Sequence, residues 1–318
     1  MELNKQETKS YLMDFHGKGE NFFGIIIINW LLTTITLGFY YPWAKEKKLK
    51  FLYGESTLDN SPFEFHGTGK EMFKGFITAV GIFIALFAIT FSLMSINKTA
   101  GILFLYAALF CIIPVAIHGT YKYRMSRTSW RGIRFGYRGD RKELIVNFLK
   151  WTALTVITLG LYGSWFTINL RKYIVKNLRL GSIEMDYEGE GTEYFMLNLK
   201  GILLTLVTFG IYSFWWQKDI FHYYINNLKM RKGNEELNFN TNITGGELFV
   251  TMLINNLIVM FTLGIGYAWA QMRLMKFALS SIELEGNLDL KNIQQTEAEY
   301  KNATGEDLGD MLDMDLVI

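Results

Sequence analysis

The sequence predicts a mostly α-helical integral membrane protein built as five tandem helical-hairpin repeats, with small cytoplasmic β-hairpins forming a sheet or barrel layer. Three observations predict it. Residues 21–44, 75–97, 99–121, 151–170, 201–217 and 248–272 contain no Asp, Glu, Lys or Arg. A Thr-x-Gly sequence followed five residues later by tryptophan recurs in four of these runs. Short segments of alternating apolar and polar residues stand between them, and that period of two is the mark of half-exposed strands.

The membrane reading follows from length. About 20 apolar residues of helix cross a bilayer, because lipid offers the backbone no hydrogen-bond partners. Five of the six runs reach that length and 201–217 is marginal. Composition agrees: 318 residues, 50% hydrophobic, 16% aromatic and 19% charged, with a mean hydropathy of +0.14. These values exclude a disordered, collagenous or disulfide-framed chain, and Cys111 is the sole cysteine. A net charge of +2 removes the electrostatic case for nucleic-acid binding. Residues 1–20 carry Glu2, Lys5, Glu7, Lys9, Asp14, Lys18 and Glu20 and no cleavable signal, so insertion is expected to rely on the internal runs.

The repeated frame comprises Gly38 with Trp43, Gly160 with Trp165, Gly210 with Trp215, and Gly264 with Trp269. Seven residues beyond each tryptophan stand Lys50, Lys172, His222 and Lys276, each followed by an aromatic. A degenerate copy places Pro114-Val115 where Pro42-Trp43 stands in the first. The expected strands are Phe63–Phe65, Ile133–Phe135, Met185–Tyr187, Leu237–Phe239 and Leu288–Leu290, partnered by Ser56–Leu58, Leu178–Leu180 and Ile282–Leu284. The chain therefore divides into an N-terminal cytoplasmic segment (1–10), a membrane domain (11–290) and an acidic cytoplasmic tail (291–318). The units of the membrane domain are 11–65, 66–134, 135–187, 188–239 and 240–290.

Topology admits two readings, six single spans or five hairpins. Residues 122–150 hold nine Lys/Arg against two acids, and 45–74 hold six Lys/Arg. Strict alternation would place both outside, against the positive-inside bias. Hairpins keep every strand segment and both termini in the cytoplasm. Their second arms are amphipathic, and their charges must face a wet cavity, a bundle interior or headgroups.

The Thr-x-Thr-Leu-Gly-x-Tyr-x-x-Trp block at Thr34–Trp43, with the basic helix after it and the Phe-x-Phe-x-Gly segment at Phe63–Gly67, resembles the YjgN-like bacterial inner-membrane proteins, a family of unknown function. The likeness spans roughly residues 11–290. It implies a bacterial inner-membrane location and supplies no catalytic or binding residues. The second unit departs by lacking the tryptophan, and Gly266 replaces the tyrosine in the last.

No catalytic, cofactor or metal site is read from the residues. Phe15-His16-Gly17 and Phe65-His66-Gly67 lack the full glycine fingerprint of a nucleotide loop and read as helix-entry turns. His16, His66, His118 and His222 have no metal-ligand companions. Asn29, Asn147, Asn198, Asn255 and Asn256 read as amides binding neighbouring helices, and the turn threonines as bonding back to helix carbonyls. The expected function is a non-enzymatic permease, channel or lipid-handling protein without cofactor. Lys47, Arg171, Lys218, His222 and Arg273 are candidates to line its polar vestibule, and its partner is the lipid bilayer. The alternative is a membrane scaffold recruiting a soluble protein through the β layer and the tail. That tail reads as a solvated extension, with Leu308, Met311, Leu312, Leu316, Val317 and Ile318 as a possible docking stripe.

Overall fold

A computed structural model describes residues 8–299 and 302–312. Ten antiparallel strands close into a barrel: β1 Lys9–Phe15, β2 Ser56–Leu58, β3 Ser61–Phe65, β4 Thr128–Trp130, β5 Ile133–Tyr137, β6 Leu178–Leu180, β7 Ile183–Tyr187, β8 Leu228–Lys232, β9 Glu235–Thr241 and β10 Ile282–Gly286. Neighbours in sequence are neighbours in the barrel, and β1 closes it by pairing with both β10 and β2. Four connections are tight turns. Asp59 and Asn60 (φ +48° and +57°) and Arg131-Gly132 (φ +50° and +76°) adopt the left-handed conformation that suits the twist of a two-residue hairpin.

Pairs of helices make the other five connections: α1 Gly19–Ile35 with α2 Tyr41–Glu55, α3 Gly69–Ile96 with α4 Lys98–Ser126, α5 Arg141–Ile157 with α6 Gly163–Lys176, α7 Gly191–Val207 with α8 Ser213–Asn226, and α9 Gly245–Phe261 with α10 Tyr267–Leu279. Because adjacent strands run antiparallel, all helix pairs leave from one rim and all tight turns occupy the other. Successive pairs pack side by side, and α10 returns to α1.

The alternating residues fill the barrel. Leu58, Trp130, Leu180, Ile183, Leu237 and Leu284 are at most 2% exposed, and they form one cluster with Tyr187, Leu228, Met230 and Phe239. The indole N–H of Trp130 donates to the carbonyls of Leu58 (3.2 Å) and Ser61 (3.1 Å), so this buried donor is satisfied across the first hairpin.

Two expectations are corrected here. The fold class, a mostly α integral membrane protein of five hairpin repeats carrying small β-hairpins, gives way to a closed ten-stranded barrel as the organising element. Among the described residues only α3 and α4 are long and apolar enough to cross a membrane. The physical reason is that a charge-free run is not one helix. Residues 21–44 contain the last 15 residues of α1, a turn and the beginning of α2, and α1, α5, α7 and α9 each have only 17 residues.

The second correction concerns Leu288–Leu290, which forms no strand. Beyond β10 the chain bends over the turn rim, and Leu288 and Leu290 join the barrel core with Ile293 against them. Tyr11 holds this segment: its hydroxyl donates to the Leu288 carbonyl (3.4 Å) and accepts from the Leu290 N–H (3.3 Å). The seal continues as Thr296 Oγ1 donates to the Gly181 carbonyl at 2.6 Å. The first seven residues of the expected N-terminal segment, and Asp313, Asp315, Leu316, Val317 and Ile318 of the tail, lie outside the described residues.

Candidate functional site at the helix rim

Four of the five helix-pair turns are built by one recurring device, the exception being the α3–α4 turn at Asn97. Thr36 Oγ1 donates to the Leu32 carbonyl (2.7 Å) and accepts from the Tyr40 N–H (2.9 Å), stitching the end of α1 to the start of α2. Thr158, Thr208 and Thr262 repeat both bonds. Around Thr36 the N–H groups of Leu37, Gly38, Phe39 and Tyr41 also find backbone carbonyls. The reversal needs two consecutive residues at positive φ: Leu37 at +49° and Gly38 at +92°, the second being a conformation that glycine adopts without penalty. The outward residue at each turn is large and apolar, with Leu37 89%, Leu159 95%, Phe209 98% and Leu263 94% exposed.

The tryptophans join neighbouring pairs. Trp43 lies against Gly69, Trp165 against Gly191, Trp215 against Gly245 and Trp269 against Gly19, each so closely that a Cβ on the glycine would overlap the indole. Within pairs, Asn29 Nδ2 donates to the Ala44 carbonyl at 3.0 Å and Asn255 Nδ2 to that of Ala270 at 3.1 Å. Asn198 instead bonds within α7, to Tyr194.

The vestibule candidates are dispersed. Lys47 is exposed on α2, 5.6 Å from the centre of the Tyr40 ring. Arg171 is buried on α6, its guanidinium 4.0 Å from the Tyr224 ring centre and 5.4 Å from that of Tyr187. Burial pushes both phenols above their usual range, so Arg171 meets neutral ring faces in a cation–π arrangement. Lys218 pairs with adjacent Asp219 at 2.5 Å, His222 Nε2 stands 2.7 Å from the Ile243 carbonyl, and Arg273 is exposed on α10. An open cleft of about 560 Å³ between α7 and α8 takes in His222 alone of the five, with Lys200 and Asp219. His16 and His66 stand apart at the ends of β1 and β3, beside Thr57 (3.5 Å) and Ser129 (2.7 Å).

The most developed polar site involves residues the sequence reading did not single out as a site. The tail does not extend into solvent. Its acids settle on the basic stretch 122–150: Glu297 pairs with Arg138 (2.6 Å), and Glu299 with Arg134 (2.6 Å) and Arg127 (3.8 Å). A short helix, α11 Thr304–Met311, then lodges against α3 and α4. Glu306 Oε1 accepts from Lys45 Nζ of α2 at 2.6 Å and from Arg124 Nη2 of α4 at 2.5 Å, and its side chain is 0% exposed. Burial pushes this carboxyl up, but the two cations outweigh it and hold its pKa below the ordinary value.

Close backbone approach makes the crevice. A Cβ on Gly119 would overlap Gly305, and one on Gly75 would overlap Asp307. Thr120 Oγ1 donates to the Gly305 carbonyl at 3.1 Å. Farther along, Leu308 packs with Ala79 and Ala116, flanked by Phe83, Ile112, Met311 and Leu312. The available sequence signal was the acid-rich tail set against the surplus of arginine in 122–150.

The profile of the family described as "Bacterial protein of unknown function (DUF898)" matches residues 10–186, 182–234 and 216–311. Inner membrane protein YjgN of Salmonella typhimurium is 28% identical over 179 residues, which is 52% of this chain and 44% of that protein. Inner membrane protein YjgN of Escherichia coli O157:H7 is 33% identical over 140 residues, 44% of this chain and 34% of that protein. The chain thus aligns with less than half the length of these curated relatives. No solved structure matches.

Proposed function

This chain belongs to the DUF898 family of bacterial proteins of unknown function, and from that premise we propose that it is an inner-membrane protein gripping the bilayer through its helix rim, with the barrel and both termini in the cytoplasm. The observation that carries this reading is the set of apolar turn residues, 89–98% exposed and all on the helix side of the barrel. Four large side chains so placed oppose the hydrophobic effect in water. In lipid they are favoured, provided the turn backbone is satisfied internally. The threonine stitch meets that condition.

Length separates the pairs. A 17-residue helix is about 25 Å long, short of the roughly 30 Å hydrocarbon core. The 28 and 29 residues of α3 and α4 exceed it. The reading is one pair that crosses and four that enter and turn within the membrane. The arginine-rich strands and tail supports remain at the inner surface, consistent with the positive-inside bias.

Of the membrane roles expected from sequence, lipid handling without catalysis fits best. Side chains pack the barrel and residues beyond β10 seal its turn rim, which argues against an aqueous path along its axis. Recruitment through the tail is disfavoured because Glu297, Glu299 and Glu306 already pair with the chain's own cations.

Cysteine labelling tests the placement. In sealed vesicles, Phe209→Cys in a Cys111→Ser chain should resist a membrane-impermeant maleimide from either side and react with a lipophilic one. Asn60→Cys should label from the cytoplasmic side. Ready impermeant labelling at position 209 overturns the reading.

A further inference from the structure

We propose that the crevice under α11 is a binding site for an anionic phospholipid, with α11 as the tethered occupant that lipid displaces. The inference deepens the lipid-handling reading and rests on it for where such a ligand would be met.

The chemistry of α11 is that of an anionic amphiphile. At one end Glu306 presents a carboxylate to Lys45 and Arg124 in full burial. At the other, Leu308, Met311 and Leu312 cover Ala79, Ala116, Phe83 and Ile112. A phosphodiester with acyl chains satisfies the same two requirements in the same order. Its phosphate oxygens accept from the lysine and arginine, which are the usual phosphate partners. Its chains follow the α3–α4 seam, which continues into the segments long and apolar enough to cross a membrane.

The occupant is poorly made for permanence. Its sequence, Thr-Gly-Glu-Asp-Leu-Gly-Asp-Met, has two glycines inside an eight-residue helix, each costing about 1 kcal/mol of helix propensity against alanine. Two consecutive acids, Glu306 and Asp307, are buried at 1% exposure. Sequestering charge in this way contributes little net stability, whereas it specifies one arrangement. By contrast the floor belongs to the packed helix pairs, since Lys45 and Arg124 sit on α2 and α4, helices of 15 and 29 residues, and Gly75 and Gly119 open the space. The displaced acids keep a route back, because residues 288–299 remain anchored to the barrel and its outer wall.

The test uses the full chain in neutral detergent, with soluble dioctanoyl phosphatidylglycerol as probe, dioctanoyl phosphatidylcholine as control and inorganic phosphate as competitor. A solvatochromic dye on Met311→Cys (Cys111→Ser background) reports whether α11 is seated. Gly305→Leu expels the helix while leaving the floor intact, because its side chain would meet Gly119. Removing a competing occupant raises apparent affinity by the inverse of the open fraction, here by about tenfold or more. Phosphatidylglycerol should therefore bind Gly305→Leu at least about tenfold tighter than the parent, and phosphatidylcholine should not. Lys45→Met with Arg124→Met should cancel the gain. In the unsubstituted floor, rising phosphatidylglycerol should release the dye-bearing helix, a readout independent of the Gly305 variant. Equal affinity of parent and Gly305→Leu, binding that survives loss of both cations, or a dye signal indifferent to phosphatidylglycerol overturns the proposal. Displacement of the lipid by equimolar inorganic phosphate would assign the site to free phosphate and overturn the lipid assignment. Since the lipid is presented outside a bilayer, failure of the vesicle labelling test leaves this readout intact, and the two failures are distinguishable.

Discussion

Lys45 Nζ lies 2.6 Å from Glu306 Oε1, with the two side chains 8% and 0% exposed. Helix α2, near the start of the chain, is thereby tied to the last described helix. Breaking a buried pair by deleting one partner costs about 3–5 kcal/mol, because the other charge is left stranded. Arg124 remains beside Glu306, so Lys45→Met should fall at or below the lower end of that range. The expected consequence is local: residues 304–311 lose hydrogen-exchange protection while β1–β10 keep theirs. A global loss of protection would contradict a separately docked helix.

Acid should undock α11 late. The Glu306 pKa is depressed below its ordinary value of 4.5, since the attraction of Lys45 and Arg124 exceeds the upward push of burial. A depressed folded value gives stabilisation that is complete above the unfolded value and lost as pH falls through the folded one. The dye on Met311→Cys should therefore report the seated helix unchanged from neutral pH down to the ordinary carboxyl value of 4.5, with release only as pH falls below it. A midpoint between pH 5 and pH 7 would contradict the paired carboxylate.

The sequence made the local devices legible and concealed how they assemble. Gly38, Trp43 and their counterparts were found by spacing because the turn demands positive φ and the indole demands a bare glycine opposite. The alternation at Leu237–Phe239 gave the inward face, whereas at Phe63–Phe65 only Phe63 joins the barrel core and Phe65 packs with Leu49, Met72 and Tyr123. Barrel closure was not legible: β1 pairs with β10 across more than 260 residues, and nothing local to Lys9–Phe15 encodes that partner. Charge-free runs overstated helix length because the turns joining the paired helices are themselves apolar and carry no charge to mark them. Leu288-Asp-Leu290 carried a strand pattern and became a plug, since burying both leucines satisfies the same pattern without a ladder. Arg171 stands six residues beyond Trp165 and Arg273 four beyond Trp269, an offset that turns them to opposite helix faces, and the first lies buried beside tyrosines while the second is exposed. The Glu306 site was hidden because its three charges come from α2, α4 and α11.

The tryptophan–glycine contacts should be intolerant of any side chain on the glycine. A Cβ at Gly191 would overlap the Trp165 ring and approach its Cα at 2.9 Å, so the ring cannot simply swing aside. Overpacking of this kind costs about 1–3 kcal/mol, and Gly191→Val adds a β-branched residue at the start of α7. The thermal midpoint should drop, and Trp165→Ala in the same chain should recover part of the loss by making room. Additive losses in the double variant would show that the two residues do not share one contact.

The threonine stitch offers the sharpest distinction between lipid and water around the helix tips. Thr208→Val keeps shape and apolarity but removes the acceptor for the Tyr212 N–H, now bonded at 2.9 Å, and the donor to Leu204. The Leu204 carbonyl also accepts the Thr208 N–H, so the orphan created is the Tyr212 donor. Were the turn in water, solvent would replace the lost acceptor and the cost would be a few tenths of a kcal/mol to about 1. In hydrocarbon no replacement exists, and an unsatisfied N–H costs several kcal/mol. Thr208→Val should therefore destabilise the α7–α8 pair by about 2 kcal/mol or more in nanodiscs, and Thr208→Ser should restore most of it. A valine variant whose loss of stability stays within about 1 kcal/mol would place the turn in contact with water.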